Sequence, residues 1–290
     1  MITSHLMGGL GNQLFQIFTT ISYGFTHTIK VVFPYSKVLQ DHVVRDTYWD
    51  SFLESLQPFI CSQMKYKMTN EELYKFELYR EKHFSYNILP YFSKSTMLYG
   101  YWQSYKYFDD MKEKIFQMIR LEQFKFSVVK EYSRYFDEHS DIISMHFRLG
   151  DYKYKQEYHP ILPYEYYEKA LDTILEKSRE KTRVLYFCEK EDNSIVLDHI
   201  QRLNKKNPEV LFIKVDDDIP DWKQMVLMSC CNHNIIANST FSWWGAYMNI
   251  LETKIVCYPS IWFGIRITQQ KSHDEYIKDL YPDSWIKINL

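Results

Sequence analysis

Apolar positions along this chain follow two rhythms that change near residue 138. In the first part, residues 2–7 read as a short strand, 12–25 as an amphipathic helix and 30–33 (KVVF) as a second strand. That is a βαβ unit with a glycine turn between its first strand and its helix. Residues 41–135 are predicted to be mostly helical, most clearly at 109–120, with one extended piece at 97–100.

From residue 140 the pattern becomes regular. Short apolar runs at 142–147, 183–188, 210–215, 234–237 and 254–258 predict strands, separated by stretches of helical period at 163–178, 193–204, 222–230 and 241–251. Such alternation predicts an α/β domain with a parallel, doubly wound sheet covered on both faces. Ligands of these sheets bind at the carboxyl ends of the strands. Residues 148–151, 189–192 and 238–242 meet that condition. The expected domains are 1–138 and 139–290.

Composition agrees with two domains. The chain has 290 residues, 46% hydrophobic and 25% charged, enough for two cores of about 100–150 residues each and too apolar for disorder. A formal net charge of −2 lacks the Lys/Arg surplus of a general nucleic-acid binder. Five cysteines form no CxxC pair, so neither a disulfide framework nor a zinc ribbon is expected. The opening MITSHLMGGLGNQLFQ shows no basic region leading into an apolar one, and no run of about 18 uncharged apolar residues occurs. A cytoplasmic protein without a transmembrane segment is expected, in which the Asn238-Ser239-Thr240 glycosylation sequon is idle.

Glycine is scarce: the chain has eight where average usage gives roughly 20. Gly8, Gly9 and Gly11 form one cluster; Gly100, Gly150 and Gly245 open or sit in GYWQSYKYF, HFRLGDY and NSTFSWWGAY. A chain that otherwise avoids glycine keeps it where backbone turns tightly or approaches something closely. The spacing GGLG is not GxGxxG, so the dinucleotide fingerprint is absent.

Within these segments several side chains carry chemistry. Arg148 follows a buried strand directly, and a guanidinium there presents a planar fork to phosphate or carboxylate; pairing with Asp151 as scaffold is the alternative. His146, two residues earlier, reads by itself as a core histidine. Asn238, Ser239 and Thr240 end one strand and begin one helix, where hydroxyls, free N–H groups and the positive end of the helix dipole coincide. The aromatics Phe241, Trp243 and Trp244 fit core packing better than a stacking platform. Glu189 is placed either to accept from the N1–H and N2–H of a guanine or to stand as a solvated loop acid. Asp216-Asp217-Asp218 contains an Asp-x-Asp, but a solvated turn ahead of a helix explains it without metal.

Four segments in this order resemble the α-1,2-fucosyltransferases of glycosyltransferase family 11. They are Gly8-Gly9-Leu10-Gly11-Asn12-Gln13, the GYWQS at 100–104, His146-Phe147-Arg148-Leu149-Gly150-Asp151-Tyr152, and the closing block at 227–246. The resemblance implies a GT-B-like fold of two Rossmann-like domains facing a cleft. The N-terminal domain serves the acceptor, and the C-terminal one binds a GDP-sugar. It implies inverting transfer from GDP-β-L-fucose to a galactoside hydroxyl, without metal or other cofactor. Gly9, Asn12, His146, Arg148, Glu189, Asn238, Ser239, Thr240, Phe241 and Ser242 are then the expected donor contacts, and Trp102 and Gln103 the expected acceptor contacts. Two positions depart from the pattern. Leu149 stands where the family has a second Arg, and Glu189-Lys190 replaces an acidic pair.

Breaking the sugar–phosphate bond builds negative charge on the β-phosphate, which Arg148 and the helix beginning at Thr240 are placed to stabilise. A carboxylate or a His must take the acceptor's proton, and the sequence does not fix which; Asp151 is the first candidate and Glu157 the second, since both lie in the loop after Arg148. Transfer of another GDP-sugar, another fucosyl linkage, and glycan binding without turnover are the rival readings.

Overall fold

The computed structural model of the chain describes residues 1–40, 43–65, 67–137, 139–178, 181–268 and 273–290. Two compact α/β units result, each built on a parallel sheet. Residues 1–123 and 275–282 make the first unit; residues 124–274 and 283–290 make the second.

In the first unit, β1 (Ile2–Ser4) leads into α1 (Leu10–Thr26), and β2 (Glu77–Arg80) and β3 (Thr96–Tyr99) follow. The sheet order is β1-β3-β2, all parallel. Leu14, Phe15, Ile17, Phe18 and Ile21 of α1 are fully buried, so this helix is the spine of the first core. The strand expected over 2–7 ends early because the Gln16 side chain takes over from the sheet: its amide accepts from Met7 N at 3.0 Å and donates to Met7 O at 3.1 Å. At 30–33 the backbone makes only isolated bridges, Ile2 with Val31 and Phe33 with Ile60.

The mostly helical reading of 41–135 is corrected. The segment holds β2, β3, α2 (Lys112–Met118), α3 (Leu121–Glu131) and several short 3-10 turns. One of these, Glu54–Phe59, contains Pro58, which cannot donate to a helical ladder. Buried Trp49, Phe52 and Leu56 anchor irregular backbone here rather than one helix face.

The second unit runs β4 (Ser140–His146), α4 (Tyr164–Leu175), β5 (Lys181–Phe187), α5 (Asn193–Lys206), β6 (Leu211–Lys214), α6 (Asp221–Ser229), β7 (His233–Ile235), α7 (Thr240–Tyr247), β8 (Val256–Pro259) and β9 (Ile286–Ile288). All six strands are parallel, in the order β9-β8-β7-β4-β5-β6. Read from β6, this is the 3-2-1-4-5-6 order of a doubly wound sheet, whose direction of growth reverses between β4 and β7. Ile143, Met145, Val184 and Ile235 pack against Phe147, Tyr166, Tyr167 and Leu171 in its core. Trp243 and Trp244 are fully buried, in agreement with the core reading, whereas Phe241, which begins that aromatic run, is only partly buried. Helix α7 stops at Tyr247, short of the expected 251, where Lys254 Nζ donates to the Ala246 carbonyl at 2.9 Å.

The units do not divide at 138/139, and residue 138 itself lies outside the described residues. Most of α3 belongs to the second unit: the Phe124 ring meets Trp222 edge-on at 5.2 Å, and Glu131 pairs with Lys223 at 2.7 Å. Residues 275–282 return to the first, where Asp279 holds Lys106 Nζ at 2.5 Å and accepts from Tyr86 N at 3.1 Å. None of the described helices is long and apolar enough to cross a membrane.

Candidate active site

The reversal of strand order places the ends of β4 and β7 side by side, and the expected donor residues of the second unit gather there. Arg148 lies just past β4, its side chain 20% exposed. One end of its guanidinium pairs with Glu189, from the loop after β5, and the other with Asp151. The Tyr152 ring lies 5.0 Å from the guanidinium carbon. Burial opposes the charge on Arg148, but Tyr152, Glu189 and Asp151 together outweigh it and hold the guanidinium more firmly charged than usual. Gly150 has φ +36°, and a Cβ there would stand 2.6 Å from Glu189 Oε2. The turn therefore favours glycine for its conformation, while a Cβ would only displace the Glu189 carboxylate.

Tyr152 ties this turn to the next. Its hydroxyl donates to the Asn238 carbonyl at 3.1 Å. Asn238 is 1% exposed; its Nδ2 donates to Pro160 O at 2.8 Å while its buried Oδ1 has no hydrogen-bond partner. Ser239 caps α7 by accepting from Phe241 N at 3.3 Å, and Ser242 Oγ accepts from Ala237 N at 3.2 Å. Thr240 and Phe241 open the helix and remain partly exposed. His146 is buried with its ring 5.6 Å from Phe241 and its Nδ1 unpartnered. Burial, helped by the Arg148 charge, pushes its pKa from 6.5 down to about 3, so the imidazole is neutral. Orphaned buried polar atoms beside a helix N-terminus are what a bound polar ligand satisfies.

The remaining acids are engaged elsewhere. Glu157 pairs with Arg266 at 2.7 Å on the surface, each side chain more than half exposed, and does not join the Arg148 cluster. Asp216 pairs with Arg134, and Asp217 binds Lys214 Nζ and Asn193 Nδ2, both at 2.7 Å. Glu189, expected to read guanine, is held by Arg148 instead.

In the first unit the glycine turn and the GYWQS segment come together. Gly8 has φ +76°, and a Cβ there would meet Asn12 Nδ2 at 2.5 Å. Gly9 caps α1 with extended backbone. Asn12 Oδ1 accepts from Gln103 Nε2 at 2.9 Å. Trp102 departs from its expected role: it is 2% exposed, stacked on Tyr79 at 6.3 Å and edge-on to Tyr107 at 5.6 Å. Its ring is core and cannot meet an acceptor in this conformation.

The sequence reading missed Glu81, which shapes that segment. Its carboxylate accepts from Tyr101 N at 2.7 Å and Trp102 N at 3.0 Å, and holds Trp102 at φ +56°, unusual for a bulky residue. Burial raises the Glu81 pKa from 4.5 to about 7, only partly offset by the two N–H donors. Its sole sequence signal is a carboxylate just past a strand. Asp192, buried beneath the Arg148 turn, was missed as well; it stands as one acid among several before a helix.

Comparison with known proteins follows from this geometry. The sequence pattern of glycosyl transferase family 11 matches residues 52–289. The O-antigen biosynthesis glycosyltransferase WbnK of Escherichia coli is 30% identical over 198 residues, which are 66% of this chain and 60% of WbnK. An alpha-1,2-colitosyltransferase of Escherichia coli is 24% identical over 99% of both chains. Among solved structures, a mutant of Arabidopsis thaliana FUT1 in complex with GDP is similar over 88% of this chain and 69% of that one, at 10% identity and a TM-score of 0.49. With its pattern matched over residues 52–289, the chain belongs to glycosyl transferase family 11.

Proposed function

We propose that the protein transfers L-fucose from GDP-β-L-fucose to a hydroxyl of a galactoside or related glycan, inverting the anomeric carbon and forming an α-1,2 linkage. The observation that carries the reading is the position of Arg148. A guanidinium at the end of β4, beside the N-terminus of α7, stands where a doubly wound sheet binds anions. As the bond from sugar to phosphate lengthens, charge grows on the β-phosphate, and the planar fork of Arg148 with the N–H groups at Ser239 and Thr240 offsets it. Asn238 Oδ1 and the neutral His146 Nδ1 offer further hydrogen bonds to the donor. Asp151, already at the guanidinium, takes the proton of the attacking hydroxyl; Glu157, paired with Arg266, takes no part. Gln103 and Asn12 form a polar pair that fits hydroxyl-rich substrates. The proposed reaction calls on no divalent metal, and in the Asp-x-Asp at 216–218 Asp216 already pairs with Arg134.

A second reading keeps the site and changes the sugar. The relative matched end to end carries the name of an α-1,2-colitosyltransferase, which supports the linkage but points to a different sugar. The test is incubation with GDP-fucose, GDP-mannose and a colitosyl donor against a panel of galactosides, followed by location of the new bond. A fucosylated product linked through O2 supports the proposal. Turnover with another donor only favours the second reading, and sugar binding with no turnover defeats both.

A further inference from the structure

The turn that carries Arg148 and Asp151 is gripped from beneath. Asp192 closes the short 3-10 turn Lys190–Asp192 that links β5 to α5, and none of its surface is exposed. Its Oδ2 accepts from Gly150 N at 2.7 Å; its Oδ1 accepts from Lys153 Nζ at 2.6 Å. A buried carboxylate is costly unless its oxygens are satisfied, and here Gly150 and Lys153 occupy one oxygen each. Gly150 and Lys153 flank Asp151 and Tyr152, and Gly150 at φ +36° is the residue with the least conformational preference of its own. Its neighbour Asn193 is engaged by Asp217 Oδ2 and Cys188 Sγ, so the Asp192 side chain is the link from this segment to the Gly150 N–H.

We infer that Asp192 is a positioning residue: by holding the Gly150 N–H and the Lys153 ammonium it fixes the turn that aims Arg148 at the donor phosphates. This rests on the reading of Arg148 as the phosphate-gripping group. Asp192 touches no substrate itself. If it merely stabilised the fold, its loss would lower the melting temperature and leave the folded enzyme's kcat and GDP affinity intact.

The test uses shape-preserving variants of the full chain. Asp192→Asn keeps an oxygen for the Gly150 N–H but sets an amide against the Lys153 ammonium, so kcat falls about 10-fold or more, as expected when a catalytic group is misplaced by a fraction of an ångström. GDP affinity, measured by calorimetry, falls with it. Adding Lys153→Met removes the unpaired charge and restores most of both. In an Arg148→Lys background, Asp192→Asn adds little, because the two act through one group. An Asp192→Asn enzyme with a lower melting temperature and unchanged kcat and GDP affinity overturns the inference. If Arg148→Lys alone has no effect, what fails is the phosphate reading of Arg148, a result separable from a failure of Asp192.

Discussion

Arg148 and Glu189 form an ion pair across the carboxyl ends of the adjacent strands β4 and β5. With Asp151 on the other end of the guanidinium, the arginine proposed to grip phosphate is already flanked by two carboxylates. An incoming diphosphate brings further negative charge and must displace one of them, and Glu189, whose side chain is 47% exposed, is the freer to leave. Glu189→Gln therefore strengthens binding of GDP and UDP alike, by a few-fold in calorimetry, as expected when a competing partner loses its charge. A loss confined to GDP would instead return Glu189 to the guanine-reading role expected from sequence.

Glu81 makes stability depend on pH in a defined direction. Its folded pKa of about 7 lies above the ordinary 4.5, so the folded state binds its proton more tightly than the unfolded one. The associated stability is complete below pH 4.5 and is lost as pH rises toward and through 7. Replacement by Gln removes the titration, at a pH-independent cost of one acceptor for Tyr101 N or Trp102 N. Urea unfolding should show Glu81→Gln further below wild type at pH 5 than at pH 8. A gap equal at both pH values would contradict the raised pKa.

Chelation should leave turnover unchanged. The Asp-x-Asp at 216–218 is the sequence's best metal candidate, yet its Asp216 is already paired with Arg134. Activity lost in EDTA and restored by manganese or magnesium would move leaving-group stabilisation from Arg148 to those acids.

The regular half of the chain was the legible half. Apolar runs of four to six residues locate the first five strands of the second sheet, because strands covered on both faces are apolar throughout. Strand β9, three residues long with a lysine in the middle, offers no such run. Strand β2 reads Glu-Leu-Tyr-Arg and is largely exposed at a sheet edge, so its pattern does not differ from a helix surface. The scarce glycines did mark tight turns: Gly8 has positive φ in a loop of the first unit and Gly150 in a loop of the second. Partnerships were not legible. Glu189 and Asp151 both lie near Arg148 in the fold, while Glu157 turns to Arg266, and nothing local distinguishes the three acids. Trp102 was expected to meet the acceptor only through the family resemblance, and nothing in its own segment announces its burial, which depends on Tyr79 and Tyr107 and on the grip of Glu81.

The most direct measurement is the kinetics of Arg148→Lys. Lysine keeps the charge but not the planar two-pronged donor, and the apolar Leu149 beside it cannot take over. If the guanidinium offsets charge developing on the β-phosphate, kcat falls by about 10²-fold or more, the scale for losing one electrostatic donor to a forming anion. KM for GDP-fucose rises less, because the effect belongs to the transition state. Thr240→Val serves as the control and costs less, since the N–H groups of α7 remain when one hydroxyl is removed. A folded Arg148→Lys enzyme with near-normal kcat would contradict the account and leave Arg148 as scaffold.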